Sequence, residues 1–202
     1  MYNQEHITPL EQRGSSSLAG TAHLCRQLPE IFNKHNIRSM FDAGANDAAW
    51  QARTLAHMVE YHAGERNAPI VAVAKKIFPD IDICVHDMTQ DPFPKVDLLF
   101  VRDAAIHLNN FYKHCLLKNW LNSEIPWLMI TQINDCRLNT DQDQTPGQWY
   151  AADVNWHLEP WNFPPAREYV EDLHPEAIDF LGPNVPIQRF MCLWHRDQIK
   201  II

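Results

Sequence analysis

The sequence predicts an α/β fold, an open, doubly wound and mostly parallel sheet with helices on both faces. Two observations lead there. Short apolar runs such as IRSMF, IDICV, VDLLFV and PWLMIT read as interior strands, too continuous for a sheet with one wet face. Between them lie stretches with helical periodicity, and strands alternating with helices imply right-handed crossovers and a parallel sheet.

The elements follow in order. After a polar start, Leu18, Ala22, Cys25, Leu28 and Phe32 recur at helical spacing, which predicts a helix over Ser17 to His35, with Pro29 as a point where it can bend. Ile37 to Phe41 reads as a buried strand ending at Asp42, and Asp47 is placed to cap a following helix. A weaker strand is expected over Glu60 to Glu65, a helix from Pro69 through Ile77, a strand over Ile81 to Val85, and the clearest strand over Val96 to Val101. A helix from Ala104 to Trp120 and a strand over Pro126 to Thr131 come next. Residues 132–165, rich in Asn, Asp, Gln, Pro and Trp, are long for a plain connection and predict a functional loop or lid. Arg189 to Trp194 closes the sheet as a strand expected antiparallel at or near its edge, for six or seven strands in all.

The 202 residues fit one domain over 1–202, with one buried core. Hydrophobic residues make up 46% and charged residues 21%, the usage of a folded globular chain. A net charge of -8 without basic clusters argues against nucleic acid as a partner. The opening residues lack a basic start followed by an apolar run, and no stretch nears eighteen apolar residues, so neither an export signal nor a membrane span is expected. Five widely spaced cysteines with no C-x-x-C pair read as reduced, mostly buried thiols of a cytoplasmic protein. The histidines form no H-x-x-x-H or H-E-x-x-H element, so no metal site is predicted.

In such sheets ligands bind beyond the carboxyl ends of the strands, where strand order reverses. Four strand ends carry carboxylates: Asp42-Ala43-Gly44-Ala45-Asn46-Asp47, Glu65, His86-Asp87-Met88 and Arg102-Asp103. A nucleoside cofactor needs close backbone approach at the first turn, an acid about 20 residues on for the ribose hydroxyls, and an acceptor for the adenine amine. Asp42 with Gly44, then Glu65, then Asp87 with Met88 beside it supply these in order. Each acid taken alone also reads as an ordinary solvated turn residue.

The segments RGSSS with the following Thr21, NIRSMFDAGANDAAW, HDMTQDPFPKVDLLFVRDAAIHL, ITQIND, and GQW followed by WNFPP resemble a family of class I S-adenosylmethionine (SAM) methyltransferases found in bacterial, phage and large-virus genomes. The resemblance covers most of the chain. It implies the Rossmann-like class I methyltransferase fold, SAM as cofactor, cofactor roles for Gly14, Ser15, Asp42, Gly44 and Asp87, and active-site positions for Asp103 and His107. Similar domains occur fused to glycosyltransferases in large algal viruses, which implies glycan modification and a place in a larger glycosyltransferase protein, in the host cytoplasm if the chain is viral. The chain departs from the pattern at two points. Gly44 is followed by Ala45 and Asn46 where glycines are usual, and Ala45 limits how closely backbone can approach a ligand. The second-strand acid falls at Glu65, one residue before the aligned position, which holds Arg66.

Methyl transfer to a hydroxyl needs a base. Asp103 and His107, four apart, are the leading pair if a helix begins at Asp103; otherwise Asp103 is a helix cap and His107 a packed histidine. Trp149, Asn155 and Trp161, in a late stretch of rings and polar groups, suit a sugar face and favour a carbohydrate or other small polyhydroxylated acceptor, as well as the plainer role of anchoring the loop. The expected function is SAM-dependent O-methylation. A degenerate binding domain without catalysis and a small-molecule N-methyltransferase stay open beside it.

Overall fold

The computed structural model describes residues 16–141, 151–172 and 189–200. The described strands are β1 (Ser39–Ala43), β2 (Glu60–Glu65), β3 (Asp82–Val85), β4 (Leu98–Val101), β5 (Trp127–Ile133), β6 (Glu168–Glu171) and β7 (Arg189–His195), and the helices α1 (Leu18–Lys34), α2 (Ala68–Ile77) and α3 (Asn110–Asn122). They form one seven-stranded sheet in the order β3-β2-β1-β4-β5-β7-β6. β3, β2, β1, β4 and β5 run parallel, and β7 is antiparallel to both β5 and β6. Strand order reverses between β1 and β4, so their carboxyl ends mark the expected ligand crevice.

Each face carries its own core. Leu24, Leu28 and Phe32 of α1 pack with Val71 and Ala74 of α2 onto Met40, Phe100, Met129 and Met191. On the other face Leu116, Leu117 and Trp120 of α3, with Trp156 and Phe163, cover Phe41, Leu99, Leu128 and Trp194. The helices hold because their apolar residues repeat at three and four and because Ser17 caps α1, its Oγ accepting the Gly20 N–H at 2.9 Å. Gly64 in β2 is a steric requirement: a Cβ there would lie 2.6 Å from the Phe41 ring and 2.8 Å from the His86 Cβ.

Three expectations need correction. β1 runs to Ala43, so Asp42 lies inside the strand and is 2% exposed. No α-helix follows Asp47; two 3₁₀ turns, Gln51–Arg53 and Leu55–His57, take its place. Ala48, Ala49, Trp50, Gln51 and Leu55 are all buried, more of a short segment than one helical stripe can bury. Asp103 does not begin a helix: it has φ 57°, a 3₁₀ turn covers Ala105–His107, and α3 starts at Asn110 with Asn109 as its cap, Oδ1 accepting the Tyr112 N–H at 2.9 Å. The closing strand β7 is antiparallel and near the sheet edge as expected, with the seventh strand, β6, paired outside it. Of the cysteines, Cys25 and Cys192 are buried, Cys115 and Cys136 half-buried, and Cys84 exposed on edge strand β3; all are free thiols.

Candidate functional site

At the carboxyl ends of β1 and β2 the chain builds a turn from Gly44 to Ala48. Gly44 has φ 87°, a conformation that L side chains rarely adopt, and a Cβ there would meet the Ala104 Cβ at 2.5 Å and the Met88 Cε at 3.0 Å. Asn46 and Ala48 also lie in the left-handed region, at 55° and 53°. The turn is held from β2: the N–H groups of Gly44 and Ala45 donate to the Gly64 carbonyl at 2.8 and 3.1 Å. Glu65 ends β2, with Oε2 accepting the Asn46 N–H at 3.2 Å and Oε1 the Asn67 N–H at 2.8 Å. The acid therefore stands directly against the first turn.

Asp42 lies one layer beneath. Its Oδ2 accepts from Gln51 Nε2 at 2.9 Å and from the Tyr61 hydroxyl at 2.8 Å. Burial raises its carboxyl to about 6, against the lowering effect of Gln51, Tyr61 and Arg102. Burial, followed by the charge of Asp42, likewise drives the Tyr61 hydroxyl well above its usual value. Asp42 thus lies buried beneath the turn, its Oδ2 held by protein donors. After β3, Asp87 organises its own turn, Oδ1 accepting from Thr89 N and Oγ1 at 2.9 and 2.7 Å and Oδ2 from Gln90 at 3.3 Å. Met88 lies against Gly44, so Gly44, Glu65, Asp87 and Met88 converge on one end of the sheet. Gly14 and Ser15 lie outside the described residues.

Beyond β4 a second cluster forms. Arg102 grips Asp172 through two parallel bonds of 2.9 Å, and Arg189 reaches the same Asp172 Oδ2 at 3.2 and 3.1 Å while also pairing with Asp103. The Arg102 guanidinium lies 5.5 Å from the Trp50 ring centre. The Asp103 N–H donates to Thr131 Oγ1 at 2.9 Å. Burial pushes the Asp103 carboxyl up, but Arg102, Arg189 and His107 outweigh it and hold the group below the usual carboxylate range. A carboxylate in that state is a weak base. His107 is half-buried in the 3₁₀ turn that follows. Of the residues in this site, Gln51, Tyr61, Asp172 and Arg189 carry no signal in the sequence, and Arg102 stands out there only as the neighbour of Asp103 at a strand end.

The late loop is tied down by amides. Asn139 Nδ2 donates to the carbonyls of Asn155 and Glu159 at 2.9 and 2.8 Å, and its Oδ1 accepts the Asn155 N–H at 2.9 Å. Asn155 is 8% exposed, its Oδ1 taken by Gln132 at 2.7 Å and its Nδ2 given to the Cys136 carbonyl at 3.1 Å. Trp156 is fully buried, donates to the Thr131 carbonyl at 2.8 Å and stacks at a tilt on Trp161, 5.2 Å between centres. Asn155 therefore ties the loop down, and Trp161 packs within its aromatic core, while Trp149 lies outside the described residues. Among the described residues no group of His, Cys, Asp or Glu is arranged to hold a metal, and no helix is long and apolar enough to cross a membrane. A groove lined by Phe32, Ile37, Met58 and Val59 opens at the amino ends of β1 and β2, away from this crevice.

Among solved structures the chain is similar to the apo form of SibL, an S-adenosylmethionine-dependent methyltransferase, with TM-score 0.58 and 11% identity over 87% of this chain and 55% of that one. The fold is that of the class I methyltransferases. A protein from Pyrococcus horikoshii OT3 gives TM-score 0.51 at 10% identity, over 63% of this chain and 62% of that one. The methyltransferase domain of bacterial CtHen1-CN gives 0.50 at 12% identity, over 57% and 67%. The likeness at these identities is one of fold, and the chain spans little more than half the length of SibL. No family model matches the chain, nor does any curated protein.

Proposed function

We propose that this protein is a SAM-dependent methyltransferase acting on an oxygen of a small polyhydroxylated acceptor, a carbohydrate first among them. The observation that carries the reading is the juxtaposition of the Gly44 turn with Glu65, whose carboxylate binds the turn's own Asn46 N–H. The residues fit the cofactor. A Cβ at Gly44 would have no room, and an acid stands at the end of β2 as ribose recognition requires. Gly44 and its neighbours would hold the methionine end, Glu65 the ribose hydroxyls, and Asp87 with Met88 the adenine. Bound there, SAM supplies an electrophilic methyl group.

The protein's own part is then to orient the acceptor and take its proton. Asp103 is ill suited to that, since two arginines hold it ionised. His107 remains as the base, because imidazole is the side chain suited to accepting a proton near neutral pH. The ionised, arginine-bound Asp103 also favours a second reading, an amine acceptor, whose methylation needs no strong base.

Calorimetry with SAM and S-adenosylhomocysteine, with Asp87→Ala as control, tests the cofactor. Saturation at a hundredfold over Kd should add about 2.7 kcal/mol of stability. Binding by the wild type that is lost in the control supports the pocket; no binding of either ligand removes the reading. Product analysis on hydroxyl-bearing and amine-bearing acceptors then separates the two chemistries, and His107→Ala should cost about 10²-fold or more in kcat on the hydroxyl panel only.

A further inference from the structure

The first turn is short of glycine, with Ala45 and Asn46 following Gly44, yet it holds three residues at positive φ. A turn so written needs support from outside itself. β2 supplies part of it through the Gly64 carbonyl and Glu65. The 3₁₀ segment that follows adds the Ala52 N–H, which donates to the Ala48 carbonyl at 2.9 Å, and one neutral side chain, Gln51. Gln51 Nε2 donates one proton to Asp42 Oδ2 at 2.9 Å and the other to the Ala45 carbonyl at 3.1 Å. The Ala45 carbonyl can only accept, and so can Asp42 when ionised, so the amide orientation is fixed by chemistry.

Gln51 is 4% exposed, and its Oε1 is buried with no hydrogen-bond partner among the described residues. Its Nε2 is fully used, so the hydrogen bonds of this buried amide run through its two donors. They connect the middle of the turn to a carboxylate anchored in β1, which Tyr61 holds from the other side at 2.8 Å.

We propose that Gln51 is the positioning residue of the cofactor site, fixing the Gly44–Asn46 turn by bridging the Ala45 carbonyl to the buried Asp42 carboxylate in place of the glycines the turn lacks. The inference rests on the SAM reading above. It does not require Gln51 to touch the cofactor; the amide acts through the backbone that would.

Gln51→Glu offers a readout that loss of packing would not move. The introduced carboxyl can donate to Asp42 while it carries a proton, and repels Asp42 once both are ionised. The other charged or titratable groups acting on Asp42 are Tyr61 and Glu65 of β2 and Arg102 after β4, unchanged in this variant. The introduced carboxyl has a single proton and cannot serve Asp42 and the Ala45 carbonyl together, so S-adenosylhomocysteine should bind Gln51→Glu at least about threefold more weakly than wild type at pH 5.5 and at least tenfold more weakly again at pH 8, a further loss of at least about 1.4 kcal/mol. Gln51→Leu should bind at least tenfold more weakly at both pH values. In the absence of ligand, hydrogen exchange at the Gly44 and Ala45 amides should accelerate at least tenfold in Gln51→Leu, while the amides of β4 keep their protection. Wild-type affinity in both variants at both pH values, with unchanged exchange, overturns the inference and leaves the cofactor reading standing. Wild-type protein that binds neither SAM nor S-adenosylhomocysteine removes the cofactor reading and this inference together, with the exchange result still reporting whether the bridge holds the turn.

Discussion

The two sides of the crevice solve the same problem differently. Under the β1 turn one carboxylate, Asp42, is buried against neutral donors, the Gln51 amide and the Tyr61 hydroxyl. Beyond β4 two carboxylates, Asp103 and Asp172, face two arginines, Arg102 and Arg189. Burial penalises the charge on the first side and has been outweighed on the second, so Asp42 is raised to about 6 while Asp103 is held low. Neutral hydrogen bonds offset only part of the burial penalty on Asp42, whereas two adjacent guanidinium groups outweigh it on Asp103.

The largest expected effect lies on the paired side. Asp172→Ala removes the acceptor of four arginine bonds and leaves Arg102, whose side chain is 4% exposed, without its bidentate partner. It should cost about 3 to 5 kcal/mol in urea unfolding. A loss below about 1 kcal/mol would mean that the cluster behaves as a surface ion pair and that the contrast is false.

Asp42→Asn should move stability the other way. The carboxyl titrates near 3.8 when unfolded and about 6 when folded, so between these values the folded state holds more protons and stability falls as pH rises. Asparagine keeps an acceptor for Gln51 and Tyr61 without that charge. The variant should gain at most about 3 kcal/mol over wild type at pH 7.5 and little at pH 4, read from paired urea melts. Asp103 acts in the opposite sense: its contribution is present above pH 3.8 and is lost as pH falls below it. If Asp42→Asn leaves the pH profile unchanged, solvent reaches Asp42 and the two sides are alike.

A smaller effect tests the loop packed on the α3 face of the sheet. Trp156→Phe keeps a ring on Trp161 and Phe163 but strands the Thr131 carbonyl that Nε1 now serves. It should cost about 1 to 3 kcal/mol, with the ligand affinity of the β1 side unchanged. Coupled loss of both would join what the geometry keeps separate.

These sides also differ in how readable they were. α1 and β4 appear close to where local pattern puts them, because the three-and-four spacing of Cys25, Leu28 and Phe32 and the apolar run ending at Val101 are written in the segments themselves. The acids at the strand ends were legible for the same reason, since topology sends every parallel strand's carboxyl end to one edge. The 3₁₀ segment was not, because Trp50 and Gln51 are buried by partners on other elements, Arg102 and Asp42. Nor was the ion-pair cluster: Arg102 finds Asp172 at a separation of 70 residues and Arg189 finds Asp103 at 86, distances over which one sequence carries no periodic signal. The break at Leu108–Asn109, which separates His107 from α3, hinged on Asn109 outcompeting Asp103 as a cap.

The bond from the Asp172 N–H to the Arg189 carbonyl at 3.1 Å lies beside their side-chain pair, so the end of β6 and the start of β7 are clasped by backbone and side chain together. A one-residue slip of β6 along β7 would break both at once and turn Asp172 to the opposite face, away from Arg102. The buried ion pairs thus act as a register pin, denying an outer strand the freedom to slide that backbone pairing alone would leave it.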